Sequence, residues 1–270
     1  MAFAPRDPRR FNPVLRPSKI TMKEYPADTV IGYFGFPRRT VLREARERFG
    51  PDLPLVDLDV DRGAPDSGIL PATTCRIVAN IVDNALSLGS ALAVVVAAVG
   101  EDKCDRGRHA AFLLRKMGVR VIESRFPDEE FEDRPLVYSR ALMPLGEKID
   151  RIMATVVDPS AAEPAPASCA PTHGFWGVPP HDFRILDLFP ETTHVYGWTR
   201  CVEAGRPSDL ELECRVDEGI PVVFFTQSFC AKQDLAHYLA ERHRGLAVDC
   251  HREINDSILA KVEAFVRLSR

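Results

Sequence analysis

The chain alternates short apolar runs with amphipathic helical segments over most of its 270 residues. The run ALAVVVAAV at 91–99 contains no polar residue, and IPVVFFTQ at 220–227 is nearly as apolar. Runs of this kind are typical of strands buried on both faces of a parallel sheet, and the helical segments between them supply the crossovers. The alternation predicts an α/β protein with two Rossmann-like domains, whose parallel sheets face each other across a cleft.

Composition along the chain predicts two domains joined by a linker. We expect the first Rossmann-like domain to span 1–157 and to begin with a disordered basic arm, PRDPRRFNPVLRPSK, for which a phosphate or partner contact is the alternative. The segment 158–172, DPSAAEPAPASCAPT, is rich in Pro, Ala and Ser and has no periodicity, so it is the predicted linker. The second domain then spans 173–270. Neither a tandem repeat nor a glycine-rich phosphate loop is evident in the sequence.

The overall charge and hydropathy exclude several classes of protein. The net charge is −4, whereas nucleic-acid binding usually accompanies a strong basic excess. No apolar run reaches the roughly 20 residues of a membrane span, and the first residues contain no signal-peptide core. We therefore expect a cytoplasmic protein with no nucleic-acid or membrane partner.

Three of the seven cysteines lie at the ends of predicted elements. Cys75 opens the helical pattern TTCRIVANIVDNAL, whereas Cys104 and Cys230 each follow an apolar strand and precede a helix. The carboxyl ends of parallel strands border one crevice, so we expect these side chains to converge there. Three convergent thiolates indicate a metal or iron–sulfur site. The alternative is structural: a small loop residue at Cys104, and packed apolar side chains at the other two positions.

The remaining cysteines do not form a recognisable ligand motif. No CxxC pair occurs, so the spacing of zinc ribbons and ferredoxin-type clusters is missing and any ligands come from distant segments. Cys201, in GWTRC, and Cys169, in the predicted linker, are candidate fourth ligands. Cys214 and Cys250 are interpreted as structural.

The segment THGFWGVPPHD, at 172–182, is unusually rich in aromatic residues, glycine and proline. We interpret it as a rigid loop at the domain junction, because its glycines permit a sharp path and its prolines then restrict it. His173 and His181 are the predicted catalytic residues, as proton donor or acceptor near neutral pH. The alternative is that the aromatic side chains only fill the gap between the domains while His181 and Asp182 begin a helix.

In their order and spacing, these motifs resemble the iron–sulfur subunits of the 2-hydroxyacyl-CoA dehydratase and benzoyl-CoA reductase family. IGYFGFPRRTVLREARERFG resembles the family's opening strand, proline and first helix, and IPVVFFTQSFC resembles the segment with its last cluster cysteine. The pair Cys104–Asp105 resembles the Cys-Asp pair after the third strand. The resemblance implies Cys75, Cys104 and Cys230 as ligands of a [4Fe-4S] cluster in which one iron can keep an open position.

The resemblance also implies a function. The chain would be the cluster subunit of a low-potential reductase or dehydratase, receiving electrons from an ATP-dependent activator or another electron donor. It would act on a small molecule, for which the family implies an acyl-CoA, as a homodimer or with a related subunit. The chain differs from the family in being much shorter and in having FGF at 34–36, where members usually have a cysteine. Two other classes stay open: a non-catalytic iron–sulfur or metal-carrying partner subunit, and a zinc-binding α/β protein.

Overall fold

The computed structural model describes residues 27–100, 104–126, 134–158, 166–206, 208–250 and 254–269. These residues form two four-stranded sheets, in which every strand pairing is parallel, with helices on their faces. The predicted α/β class with two Rossmann-like units is confirmed. The predicted basic arm lies outside the described residues, as does the most proline- and alanine-rich part of the predicted linker. None of the helices in the described ranges is long and apolar enough to cross a membrane.

The first sheet has the strand order β2-β1-β3-β4. Its elements and the helix that follows are β1 (Val30–Phe34), α1 (Arg39–Phe49), β2 (Leu55–Asp57), α2 (Arg76–Leu88), β3 (Leu92–Ala98), α3 (Asp105–Lys116), β4 (Val121–Ser124) and α4 (Leu145–Ala154). The central strands β1 and β3 are buried along their whole length, with Ile31 opposite Val94. This burial explains why the run at 91–99 contains no polar residue.

The second sheet has the strand order β6-β5-β7-β8. Its elements are β5 (His173–Gly177), β6 (Thr193–Tyr196), α5 (Trp198–Glu203), α6 (Leu210–Cys214), β7 (Val222–Gln227), α7 (Gln233–Arg242), β8 (Leu246–Cys250) and α8 (Asp256–Leu268). Buried side chains from both halves, among them Ile31, Val94, Phe175 and Phe225, form one continuous cluster. The two sheets therefore share part of their hydrophobic core.

The interpretation of 172–182 as a loop is wrong for its first part. His173–Gly177 form β5, a central strand in which every residue is buried. Its two glycines concealed the strand pattern. A Cβ at Gly174 would lie 2.7 Å from the Tyr196 ring, so the neighbouring aromatic side chain occupies the space that a side chain here would need.

The two halves repeat one topology, although no tandem repeat is evident in the sequence. Each sheet has its second strand, first strand, third strand and fourth strand in that spatial order. The first strand of each half is followed by glycine and proline, in FGFP at 34–37 and WGVP at 176–179. Gly35 (φ 69°) and Gly177 (φ 149°) both have positive φ angles. In each sheet the strand order reverses between the first and third strands, which is where open α/β sheets form a ligand crevice.

The segment 134–158, which we expected to lie in the first domain, packs on the second sheet. Helix α4 contacts β6 and α5. The carboxylate of Glu203 in α5 accepts hydrogen bonds from the backbone N–H groups of 137–139. The buried Lys148 ammonium in α4 donates to the carbonyl of Thr193, at 2.5 Å. The chain thus crosses to the second sheet before residue 157.

Candidate functional site

Two of the predicted cluster cysteines meet between the halves. Cys230 packs against the hydrophobic cluster that contains Cys75, and the two thiols lie close enough to shift each other's pKa. Cys75 is the residue that begins α2, and its side chain is 5% exposed. Cys230 follows β7 and is partly buried. The expectation that Cys75, Cys104 and Cys230 form one ligand set stays a prediction.

The surroundings of Cys75 favour its thiolate. The nearby Cys230 thiol and then the backbone N–H groups of Ile77 and Val78, in the first turn of α2, favour negative charge on the Cys75 sulfur. The guanidinium of Arg106 adds a positive charge nearby. Together these groups lower the pKa of Cys75 to about 6, although burial opposes the shift. The pKa of Cys230 is raised, first by its hydrogen bond to the Cys75 sulfur and then by burial, so Cys230 keeps its proton.

A tight turn positions Cys230 at the carboxyl end of β7. The N–H of Cys230 donates to the carbonyl of Gln227, at 3.0 Å. Phe229, between them, has a φ angle of 64°, in the left-handed region that non-glycine residues seldom occupy. The turn is followed by Lys232, whose ammonium is 2.6 Å from the buried carboxylate of Glu213. Strained backbone of this kind often marks functional sites, and here it immediately precedes a cysteine of the site.

Two carboxyl groups near Cys75, those of Asp57 and Asp59, were not among the predicted site residues. Asp57 ends β2 and Asp59 lies two residues beyond it, and Asp59 Oδ2 accepts the N–H of Gly35, at 2.6 Å. Burial raises the pKa of Asp57 to about 6. Burial, then the charges of Asp57 and Cys75, raise the pKa of Asp59 well above its ordinary value. The pattern LVDLDVD could have indicated this, since alternate residues after a strand place their side chains on one face.

These two carboxyl groups can act as proton donors at the site. Burial raises the pKa of Asp59, which favours its protonated form relative to that of an exposed carboxyl. The Tyr33 hydroxyl is hydrogen-bonded to Asp57. Asn80 donates from Nδ2 to the carbonyl of Asp59, at 2.9 Å, which attaches the loop after β2 to helix α2. A protonated acid held beside a thiolate can deliver a proton to a ligand bound there.

The structure places the two predicted catalytic histidines differently. His181 lies close enough to Asp61 to lower the pKa of that carboxyl, whose main hydrogen bond is to Arg76 at 2.7 Å. Arg76 follows Cys75 directly, so His181 belongs to the same region. His173 begins β5, at the amino edge of the sheet, and its Nε2 is 3.0 Å from the carbonyl of Val266. The structure does not bring His173 to the cysteines, because their edge of the sheet lies at the other end of β5.

The other cysteines occupy varied positions. Cys104 is exposed at the start of α3, directly after residues 101–103, which lie outside the described residues. Cys201 is fully buried in α5, where burial raises its pKa to about 12 and its sulfur is 3.6 Å from the carbonyl of Asp209. Cys169 lies 3.9 Å from His194 Nε2, at the amino edge of the second sheet. The two candidate fourth ligands therefore have contacts of their own away from Cys75.

Two of the possible ligand atoms in this region suit a soft metal ion. Cys75 and Cys230 supply two adjacent sulfur atoms, which suit iron–sulfur clusters and zinc better than they suit magnesium or calcium. Within the ranges that the structure describes, no three His, Cys, Asp or Glu side chains are close enough to share one metal ion. Cys104 is one of those described residues, so the structure does not bring this third predicted ligand to Cys75 and Cys230.

No family model matches this sequence, and no match was found among curated proteins or solved structures. The function is therefore argued from the chemistry of the site and from the order of its motifs.

We expect the alkylation rate of Cys75 in the metal-free protein to rise through about pH 6 and to level off by neutral pH. The thiolate is the reactive form, and a lowered pKa moves its formation below the value of about 8.5 for a free cysteine. The measurement is iodoacetamide labelling of the Cys75 peptide against pH. In Cys230→Ala, which removes the largest cause of the shift, the midpoint should move toward the free-cysteine value. An unchanged midpoint would contradict the assigned cause.

Proposed function

We propose that this chain is the [4Fe-4S] subunit of a low-potential reductase or dehydratase, which accepts electrons from an ATP-dependent activator or another electron donor. The observation that carries the proposal is the side-chain contact between Cys75 and Cys230, which come from opposite halves of the fold. A thiolate held at a helix start beside a second sulfur is a suitable beginning of an iron–sulfur ligand set.

Cys104 is the third ligand of the proposed site. It occupies the same place in the first half that Cys230 occupies in the second, after the third strand and before the next helix. Equivalent loops of the two halves would then each supply one sulfur, and the start of α2 would supply another. When bound, a [4Fe-4S] cluster supplies one-electron chemistry, while the protein sets its access and potential.

The neighbouring side chains have roles in proton handling under this proposal. The raised pKa of Asp59 favours a protonated carboxyl near Cys75, and burial with the charges of Asp57 and Asp59 raises the pKa of the Tyr33 hydroxyl. His181, near Asp61, is the second candidate proton donor or acceptor. These groups suit the reductive or radical elimination of a small oxygen-bearing substrate, in which a leaving oxygen takes up a proton.

The substrate class and assembly follow from the resemblance of the motifs. An acyl-CoA is the proposed substrate type, and a homodimer or a pairing with a related subunit is the proposed assembly. A cytoplasmic location goes with the proposed electron donor. Two other functions use the same cysteine contact: a non-catalytic iron–sulfur or metal-carrying subunit, and a zinc-binding protein.

Metal analysis of anaerobically purified protein tests the proposal. We expect iron and acid-labile sulfide, each at about four per chain, together with a brown colour that bleaches on one-electron reduction. Zinc in a colourless protein would contradict the proposal and favour the zinc-binding alternative. Iron and sulfide that resist reduction by low-potential donors would favour the non-catalytic carrier.

A further inference from the structure

A small cavity lies at the carboxyl edge of the first sheet, beside the start of α1. Its volume is about 130 Å³. The described residues that line it are Phe36, Pro37, Arg38, Arg39, Thr40, Phe126, Arg134 and Gly205. Three of these residues are arginines, and none of them is acidic. The cavity is smaller than the roughly 300–1,000 Å³ of sites that enclose a whole organic ligand, so it suits a single small group.

Backbone hydrogen bonds from both halves of the fold fix the segments that carry these arginines. The N–H of Arg38 donates to Oγ of Ser124, at 2.7 Å, which attaches the start of α1 to the end of β4. The N–H of Arg134 donates to the carbonyl of Ala204, at 3.1 Å. Gly205, the next residue, is the part of the second half that lines the cavity. The cavity is therefore built from segments that are far apart in the sequence.

An aromatic pair supports the third arginine. The rings of Phe36 and Phe126 are stacked, with their centroids 5.7 Å apart. The guanidinium carbon of Arg134 lies 5.5 Å from the centroid of the Phe36 ring. Phe36 is buried, so this ring is a fixed support for a positively charged group. A guanidinium that stacks on an aromatic ring can still bind an oxyanion through the N–H groups at its edge.

The charges at the start of α1 are opposite to those that a helix favours there. The N-terminus of a helix carries a partial positive charge, so negative groups stabilise it. Helix α1 instead begins with Arg38 and Arg39, has no acidic residue in its first turn and has no side-chain cap. Arrangements that break a local rule of stability occur mainly at functional sites. An anion among the arginines would offset both their mutual repulsion and the charge of the helix end.

We propose that this cavity binds one phosphoryl group, as free inorganic phosphate or as part of a larger molecule. A phosphoryl group has at least three terminal or bridging oxygens and a charge near −2, so it can accept from three guanidiniums at once. A carboxylate has only two oxygens. The Thr40 hydroxyl, which also lines the cavity, is a further donor. None of the proposed cluster ligands lines the cavity, so this inference goes beyond the proposed function and does not depend on it.

Calorimetric titration of the full chain with inorganic phosphate, in a chloride buffer at neutral pH, tests the proposal. We expect saturable binding of one phosphate per chain, with a Kd of about 1 mM or less. Arg39→Gln and Arg134→Gln should each weaken this binding by roughly ten-fold or more, the usual effect of losing a hydrogen bond between charged groups. Arg43→Gln is the matched control. Arg43 lies in the same helix but is exposed and pairs with Glu47, so its substitution should leave the Kd unchanged.

Folding defects in the variants are separated from lost binding by two further measurements. Arg134→Lys keeps the charge but not the two-pronged geometry of the guanidinium, so it should also weaken binding while the fold is retained. In the unsubstituted protein, phosphate should shift the amide resonances of residues 38–40 far more than that of Arg43. Circular dichroism of each variant verifies its folded state.

Three results would overturn the proposal. The first is the absence of saturable binding, which would favour arginines that pair only with carboxylates of the chain, such as those of the acidic segment PDEEFED at 127–133. The second is equal weakening by Arg43→Gln, which would show a general effect of charge. The third is displacement of phosphate by an equal concentration of acetate, which would show that the cavity does not distinguish a phosphoryl group from a carboxylate.

Competition and iron loading complete the test. Displacement of phosphate by coenzyme A, but not by dephospho-coenzyme A, would support the proposal and assign the phosphoryl group to a larger ligand. Displacement by neither would support it and assign the cavity to free phosphate. Phosphate binding in a protein that takes up no iron would overturn the proposed function and leave this inference standing. Iron uptake without phosphate binding would overturn this inference alone.

Discussion

Single serine substitutions at Cys75, Cys104 and Cys230 should each reduce the iron bound after anaerobic reconstitution by roughly an order of magnitude. A hydroxyl is a harder and far less acidic ligand than a thiol, so it binds the irons of a cluster weakly. The effect at Cys75 should be largest, because its thiolate is already stabilised by α2 and by Cys230. Iron and sulfide determination on the variants, with an electron paramagnetic resonance spectrum of each reduced sample, measures the effect.

Cys214→Ser and Cys250→Ser are the matched controls. Cys214 is exposed at the end of α6, and Cys250 is fully buried at the end of β8. Both should keep the iron content of the unsubstituted protein. Full iron retention in all three single variants of the proposed ligands would show that the site is elsewhere.

Gly177→Ala should lower the free energy of unfolding by about 4 kcal/mol or more, or prevent the protein from folding. Gly177 has a φ angle of 149°, and a Cβ there would lie 2.2 Å from the carbonyl oxygen of Phe225. That oxygen belongs to the strand paired with β5, so the clash can be relieved only by moving the backbone of the central strands. Urea denaturation followed by circular dichroism measures the loss.

Gly118→Ala is the control for Gly177→Ala, because it introduces the strain of a positive φ angle without a steric clash. Gly118 has a φ angle of 85°, and no atom lies within 4 Å of the position of a Cβ there. Its substitution should cost only about 1–2 kcal/mol, the usual strain of a left-handed alanine. If Gly177→Ala is no more destabilising than Gly118→Ala, the close approach of β5 to β7 is wrong.

Much of the fold could be predicted because strands buried on both faces leave long apolar runs. The runs at 91–99 and 220–227 became β3 and β7. β5 could not be identified in this way, because glycine at 174 accommodates the ring of Tyr196 from a neighbouring strand. The sequence from about 138 to 157 also has a helical pattern, but α4 begins only at Leu145, after Pro144, because proline cannot supply the N–H that a continuing helix needs.

The site was predictable only where local position decided it. Cys75 and Cys230 each lie at the end of an element, and we expected them to be close because the carboxyl ends of parallel strands border one crevice. We assigned His173 to a loop because its neighbours are rich in glycine and proline. Its position at the amino edge of β5 depends on the pairing of that strand with β6, which no local sequence pattern contains. The raised pKa of Asp59 depends on its burial and on the charges of Asp57 and Cys75 nearby, which are also properties of the assembled fold.

Alkylation of Cys104 with and without bound iron shows whether Cys104 is a ligand of the proposed cluster. Cys104 and Cys214 are both exposed in the structure, so both should react with iodoacetamide in the metal-free protein. After anaerobic loading with iron and sulfide, the account predicts that labelling of Cys104 falls by roughly ten-fold or more, because a metal-bound thiolate is protected, while labelling of Cys214 stays unchanged. Equal labelling of Cys104 before and after loading, in protein that has bound iron, would contradict a cluster held by Cys75, Cys104 and Cys230.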